Sequence, residues 1–168
     1  MKSILVVINI LLFSVSIYGQ AKDPDEKIST QDKIILQKFW KVFTDAVIRN
    51  DKAKLETLCD FPFYCRPCID YAEYKNGNPI TVKVTRKLYH KKHYKVFFEQ
   101  ALKTEVKKHQ KFAIQFFRPS FNEQRRRTGV YFLYTIVPPS AHWEGAQGMI
   151  YLIKKEGKFK IAGIDTIP

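Results

Sequence analysis

The hydrophobic period of this chain changes partway along it, and that change restricts the available folds more than any single motif does. In "STQDKIILQKFWKVFTDAVIRND" apolar residues recur every three to four positions, at Ile35, Phe39, Val42 or Phe43, Ala46 and Val47. One side of an α-helix gathers residues so spaced, so the stretch predicts an amphipathic helix. Ser29 or Thr30 is placed to cap it, with Asp32 or Lys33 in its first turn. Asn50 and Asp51 end it and can cap a second, short helix over 52–58.

The C-terminal part reads differently. "KFKIAGID" alternates, so Phe159 and Ile161 share one face of a strand. Runs over 112–117, 130–137, 148–154 and 158–165 read as strands, with "KKEGK" as a hairpin turn. "GVYFLYTIV" is apolar on both faces and is expected at the centre of the sheet, covered on both sides. In between, Ile80, Val82 and Val84 alternate after the turn residues "NGNP". "HYKVFFEQALKTEVKK" returns to helical spacing, with Tyr94, Phe98 and Leu102 one turn apart, although Glu105 falls on the apolar side. Helices first, then mostly antiparallel strands with one helix inserted, make an α+β protein with its N-terminal helices packed on a curved sheet.

The first residues, "MKSILVVINILLFSVSIYGQAKDP", combine Lys2, an uncharged apolar run and small residues at Gly19 and Ala21. That is the three-part layout of a secretory signal, and its apolar core is short for a membrane span. The expected division is a signal peptide over 1–21, a flexible lead-in over 22–31 and one domain over 32–168, exported to a periplasmic or extracellular space. About 147 residues then remain, enough for one core.

Charge is unevenly spread. Residues 21–82 carry ten basic and ten acidic side chains, whereas 83–127 carry fourteen basic against Glu99, Glu105 and Glu123, a surplus of +11. Lys92, Lys103 and Lys107 fall opposite the apolar side of the inserted helix, and "NEQRRRTG" adds Arg125, Arg126 and Arg127. These six are the expected anion-binding residues; arginine forks suit phosphate or carboxylate. Aromatic residues interleave with the bases in "YHKKHYK", as on nucleic-acid surfaces. Export removes that target, which leaves an anionic envelope glycolipid or polysaccharide, or a protein partner. The plainer reading is a solvated basic face.

Several of these stretches together resemble a known family. "FWKVFTDAVIRNDKAKLETLCDFPF", with its Phe-rich helix, Asp51 at the helix break and "FPF" exit, and the closing "GKFKIAGIDTIP" are similar to the nuclear-transport-factor-like superfamily. Ketosteroid isomerase and SnoaL-type cyclases share its cystatin-like cone. The resemblance implies a curved sheet wrapped on the long helix, with a pocket at the wide end. It carries over no activity. If the protein is an enzyme of that fold, doing proton transfer, it needs an inward acid or base in an apolar pocket lined by residues such as Phe43, Tyr131 and Trp143. Asp165, His142 (beside Glu144) and Asp70 are the catalytic candidates, with Tyr71 beside Asp70 at the pocket mouth.

All three cysteines lie in "CDFPFYCRPC". Cys65 and Cys68 form a C-x-x-C without the strand-then-helix setting that makes such thiols reactive. A zinc site would need one of His90, His93, His109 or His142 as fourth ligand, and no second paired motif supports it. An oxidising compartment favours a structural disulfide, Cys59 with Cys68 or Cys65 with Cys68, leaving one cysteine over. No metal and no cofactor is expected. The favoured function is an exported, non-catalytic domain that binds an anionic ligand or partner; the alternative is the small proton-transfer enzyme.

Overall fold

The structure, a computed structural model, describes residues 28–69, 82–109, 117–122 and 127–167. Helix α1 (Thr30–Arg49) starts at Ser29, whose hydroxyl accepts a hydrogen bond from the Asp32 amide at 3.1 Å. It stops at Asn50, whose left-handed backbone (φ 56°) turns its N–H back to the carbonyls of Ala46 and Val47. Asp51 then caps α2 (Lys52–Leu58), accepting from the Lys54 amide at 2.8 Å. These caps satisfy amides that a first helical turn leaves without partners. The buried stripe of α1 is Leu36, Phe39, Trp40, Phe43, Ala46 and Val47, with Ile35 and Val42 at its half-buried margin.

Among the described residues six strands form one sheet: β1 (Cys59–Cys65), β2 (Val82–Val84), β3 (Arg118–Asn122), β4 (Arg127–Val137), β5 (Ala146–Lys155) and β6 (Lys158–Ile167). Their spatial order is β2-β1-β6-β5-β4-β3. Only β1 and β6 run parallel; every other neighbouring pair is antiparallel. Between β2 and β3 the chain forms α3 (Arg86–Lys91), a 3₁₀ helix (His93–Phe98) and α4 (Gln100–Lys108). The chain is thus the α+β protein its patterning implies.

Three expectations change in detail. The "GVYFLYTIV" strand, β4, is next to the edge strand β3, and β6 and β5 hold the centre. The cysteine-bearing segment, read only for its disulfide, is a strand, β1. Pro62 hides it in the sequence, since a proline has no N–H for a ladder, and the pairing of β1 with β6 is irregular between Cys59 and Tyr64. The inserted helix is broken at Glu99, whose extended backbone (φ −61°, ψ 142°) separates the 3₁₀ helix from α4. Of the run 112–117 only Phe117 lies within the described residues. Glu105, on the apolar side of α4, is mostly buried and pairs with His109 Nε2 at 2.7 Å.

The core lies between α1, the 3₁₀ helix, α4 and one face of the sheet, and it is largely aromatic. The Trp40 ring meets Phe132 edge-on at 5.2 Å and Phe117 at 5.7 Å, and Phe43 meets Phe132 at 5.7 Å and Phe97 at 6.4 Å. Such edge-to-face contacts add to the stabilisation from burying the rings. The indole N–H of Trp40, buried with them, donates to the His109 carbonyl at 2.9 Å. A smaller cluster of Tyr151, Ile153 and Ala162, with Tyr131 against it, covers the opposite face of the sheet. Both faces need glycine beneath a tyrosine. A Cβ at Gly148 would fall 2.1 Å from the Tyr134 ring, and one at Gly129 would fall 2.5 Å from the Tyr151 hydroxyl.

Candidate functional site

The sequence-predicted residues do not converge. Phe43 is fully buried inside the aromatic core, whereas Tyr131 lies on the other side of β4 against Tyr151, so the two cannot line one pocket. The period of two along β4 separates them: Phe132 faces Phe43, and its neighbour Tyr131 faces away. Trp143 and His142 sit on the β4–β5 connection, where Ser140 and Trp143 exchange backbone hydrogen bonds around a tight turn. Both are exposed, with Trp143 at 50%. Asp165 is half-exposed; it accepts from the Thr166 amide at 2.7 Å and pairs with Arg66 Nε at 3.4 Å. Neither His142 nor Asp165 therefore faces an apolar chamber as a general base would. Asp70, Tyr71, Arg125 and Arg126 lie outside the described residues, and Arg127 opens β4.

Of the expected anion-binding lysines, Lys92 ends α3, Lys103 rests its ammonium 5.7 Å from the Phe98 ring centroid, and Lys107 is exposed in the last turn of α4. A cation in a last turn also offsets the negative end of the helix dipole, a structural role that requires no ligand. Around α3, Lys83, Lys87, Lys91 and Lys95 are exposed. Lys87 and Lys91 share one face, being one helical turn apart.

The cysteines resolve into a bridge between Cys65 and Cys68, with Cys59 free and buried. The bridge closes a tight loop that positions Arg66. The Arg66 amide donates to the Ile164 carbonyl at 2.9 Å, while its guanidinium reaches the Thr166 carbonyl and Asp165. Burial pushes the Cys59 thiol up, although the charge of Lys160 acts the other way, and its Sγ donates to the Leu55 carbonyl at 3.4 Å. A thiol held protonated in this way is a poor nucleophile.

A cleft of about 340 Å³ forms where α2 hands over to β1, between the start of α3 and the β5–β6 hairpin. Cys59, Asp60 and Phe61 contribute from β1, Arg86 from α3, and Lys155, Glu156, Lys158 and Lys160 from the hairpin. Lys155 pairs with Asp60 at 2.9 Å, and Lys160 donates to the Thr57 carbonyl. Arg86 pairs with Glu56 at 3.4 Å and lies over the Phe61 ring at 5.4 Å. Glu56 also holds His90 Nε2 at 3.0 Å, so one carboxylate fixes α3 against α2. Among the described residues, the Lys158 ammonium has no ion-pair or hydrogen-bond partner.

Sequence reasoning missed this site because Asp60, Arg86 and the hairpin lysines stand far apart in the chain. Its one local signal is the alternation of Lys158 and Lys160 around the inward Phe159, inside a stretch read simply as a turn and a strand. A second, shallower groove of about 570 Å³ runs along α1 past Gln37, Lys41, Asp45 and Arg49. All its lining comes from one helix, with Trp40 and Thr44 already hydrogen-bonded inside the protein, so it brings no distant groups together.

Burial also shifts other titratable groups: it raises the Tyr89 hydroxyl and lowers the His93 imidazole. Glu99 is exposed at the surface, and partial desolvation alone raises its carboxyl; burial first, and then the charge of Glu99, raise the Tyr134 hydroxyl.

Neither the family models nor the curated proteins contain a match to this chain. Among solved structures it is similar to one named Rd1NTF2_05, carrying five substitutions. The identity is 16%, over 79% of this chain and 96% of the other, with a TM-score of 0.38. That likeness is too distant to carry an argument about this site.

Proposed function

We propose that this chain is an exported, non-catalytic binding domain of the nuclear-transport-factor-like kind that takes an anionic ligand or partner. The observation that carries the reading is the cleft itself, where Arg86 and three hairpin lysines meet and the Lys158 ammonium has no partner among the described residues. The exposed lysines on and beside α3 extend the positive potential away from it. Cations clustered on a concave surface raise the local concentration of anions and speed their arrival. Export is inferred from the N-terminal signal-like sequence, and a cell-envelope glycolipid or polysaccharide is the partner such a location offers.

The test is retention on dextran sulfate against neutral dextran, measured over a range of ionic strength. Binding is expected to weaken steeply with salt, and Arg86→Ala with Lys158→Ala to lower both affinity and salt dependence. Joint alanine substitution of Arg125, Arg126 and Arg127 tests whether that segment adds to the same surface. Retention indifferent to salt, or equal on neutral dextran, overturns the reading.

A further inference from the structure

The cleft is not lined as a site for a bare anion would be. Asp60 and Glu156 line it beside the four cations, and the Phe61 ring lies beneath the Arg86 guanidinium. Carboxylates repel a phosphate or sulfate ion, yet they accept hydrogen bonds from hydroxyl groups. Ammonium groups hold a carboxylate. A volume of about 340 Å³ stands at the small end of ligand sites, which run from about 300 to 1,000 Å³. One sugar-sized ring suits that space better than an extended chain.

Two features of the hairpin work against its own stability, and both belong to this cleft. Lys155 stands directly opposite Lys158 in the β5–β6 ladder, where like charges repel. Glu156 holds a left-handed backbone (φ 50°) at the first turn position, before Gly157 at φ 71°. Asn or Asp is better suited to that position in a two-residue hairpin turn. A hairpin with no task beyond folding is better served by Asn-Gly between oppositely charged neighbours.

We propose that the cleft binds one carboxylate-bearing sugar residue, a uronate unit of an acidic polysaccharide. Its carboxylate sits on Lys158 and a hydroxyl donates to the exposed Glu156. The inference rests on the anion-binding reading and deepens it by naming the ligand class.

Three probes separate the possibilities by calorimetry on the mature chain at low ionic strength: tetragalacturonate, its neutral methyl ester and inorganic phosphate. Tetragalacturonate is expected to bind, and the ester to bind at least about tenfold more weakly, the loss of one charge-assisted contact. Lys158→Gln is expected to bring tetragalacturonate down to the level of the ester. Glu156→Gln, at an exposed turn, is expected to weaken tetragalacturonate while strengthening phosphate, because it exchanges a charged carboxylate acceptor for one neutral carbonyl oxygen and removes a repelling charge. Circular dichroism of each variant checks that the hairpin still folds. If phosphate binds as tightly as tetragalacturonate and Glu156→Gln improves both, the sugar assignment fails and the anion-binding reading stands. If none of these probes nor dextran sulfate binds, both fail.

Discussion

Tyr134 is paired directly with Gly148 across β4 and β5, and its ring occupies the space a Cβ would need. Gly148→Ala must push that ring into a core already filled by Trp40, Phe43 and Phe132. Overpacking of this kind is expected to cost about 1–3 kcal/mol, read as a lower urea midpoint at unchanged slope. His93 tests the core through its charge. Burial, and then the charge of Lys92, lower its pKa, so the folded protein favours the neutral ring. Above the ordinary histidine range, about 6.5, both folded and unfolded chains hold it neutral and it contributes no pH dependence. As pH falls through that range the unfolded chain takes up the proton first, so stability declines on acidification. His93→Gln is expected to flatten that decline in unfolding curves taken across mildly acidic pH. Spacing alone placed Phe43 in the core, and Phe132 and Tyr134 lie in a run legible as apolar on both faces, but Trp40 falls outside the predicted stripe and His93 gave no sign of burial. What spacing could not give was the partner of each ring, because Phe132 meets α1 only after the sheet has turned β4 towards it.

At the scale of elements, the helices and the C-terminal hairpin were readable because their signals are local: caps at Ser29 and Asp51, and an unbroken alternation through Phe159 and Ile161. β1 was not, since it carries a proline and two cysteines and takes its strand character from β6, a neighbour about a hundred residues away. The break at Glu99 was equally hidden, because the apolar spacing continues through it. The Cys65–Cys68 bridge belongs to this scale as well. It closes a loop with a sequence separation of 3 and holds Arg66 where it bonds β6. By the loop-entropy relation so short a closure contributes only about 2 kcal/mol. A reductant, or Cys68→Ser, is therefore expected to lower the unfolding free energy by roughly that amount without changing the far-ultraviolet dichroism. Cys59 buries its thiol elsewhere and is expected to resist labelling by iodoacetamide in the folded state. Loss of the fold on reduction would show that the clip, not the core, holds β1 in place.

For the molecule as a whole, sequence patterning was enough to set the class and the helix-then-sheet order. It was not enough for the site, which joins Asp60, Arg86 and Lys158 from three separate elements. Charge counting directed attention to 83–127, yet three of the four cleft cations lie beyond that segment. The parallel pairing of β1 with β6 has a consequence for how this chain acquires its shape. During synthesis β1 emerges early but meets only the three-residue β2, while its main partner is the last strand to leave the ribosome among those described. Until then the sheet is two fragments with nothing between them, so native structure cannot accumulate gradually from the N-terminus. A chain stopped before Lys158 is accordingly expected to remain sensitive to protease along its whole length, whereas one carried through Ile167 gains resistance in a single step.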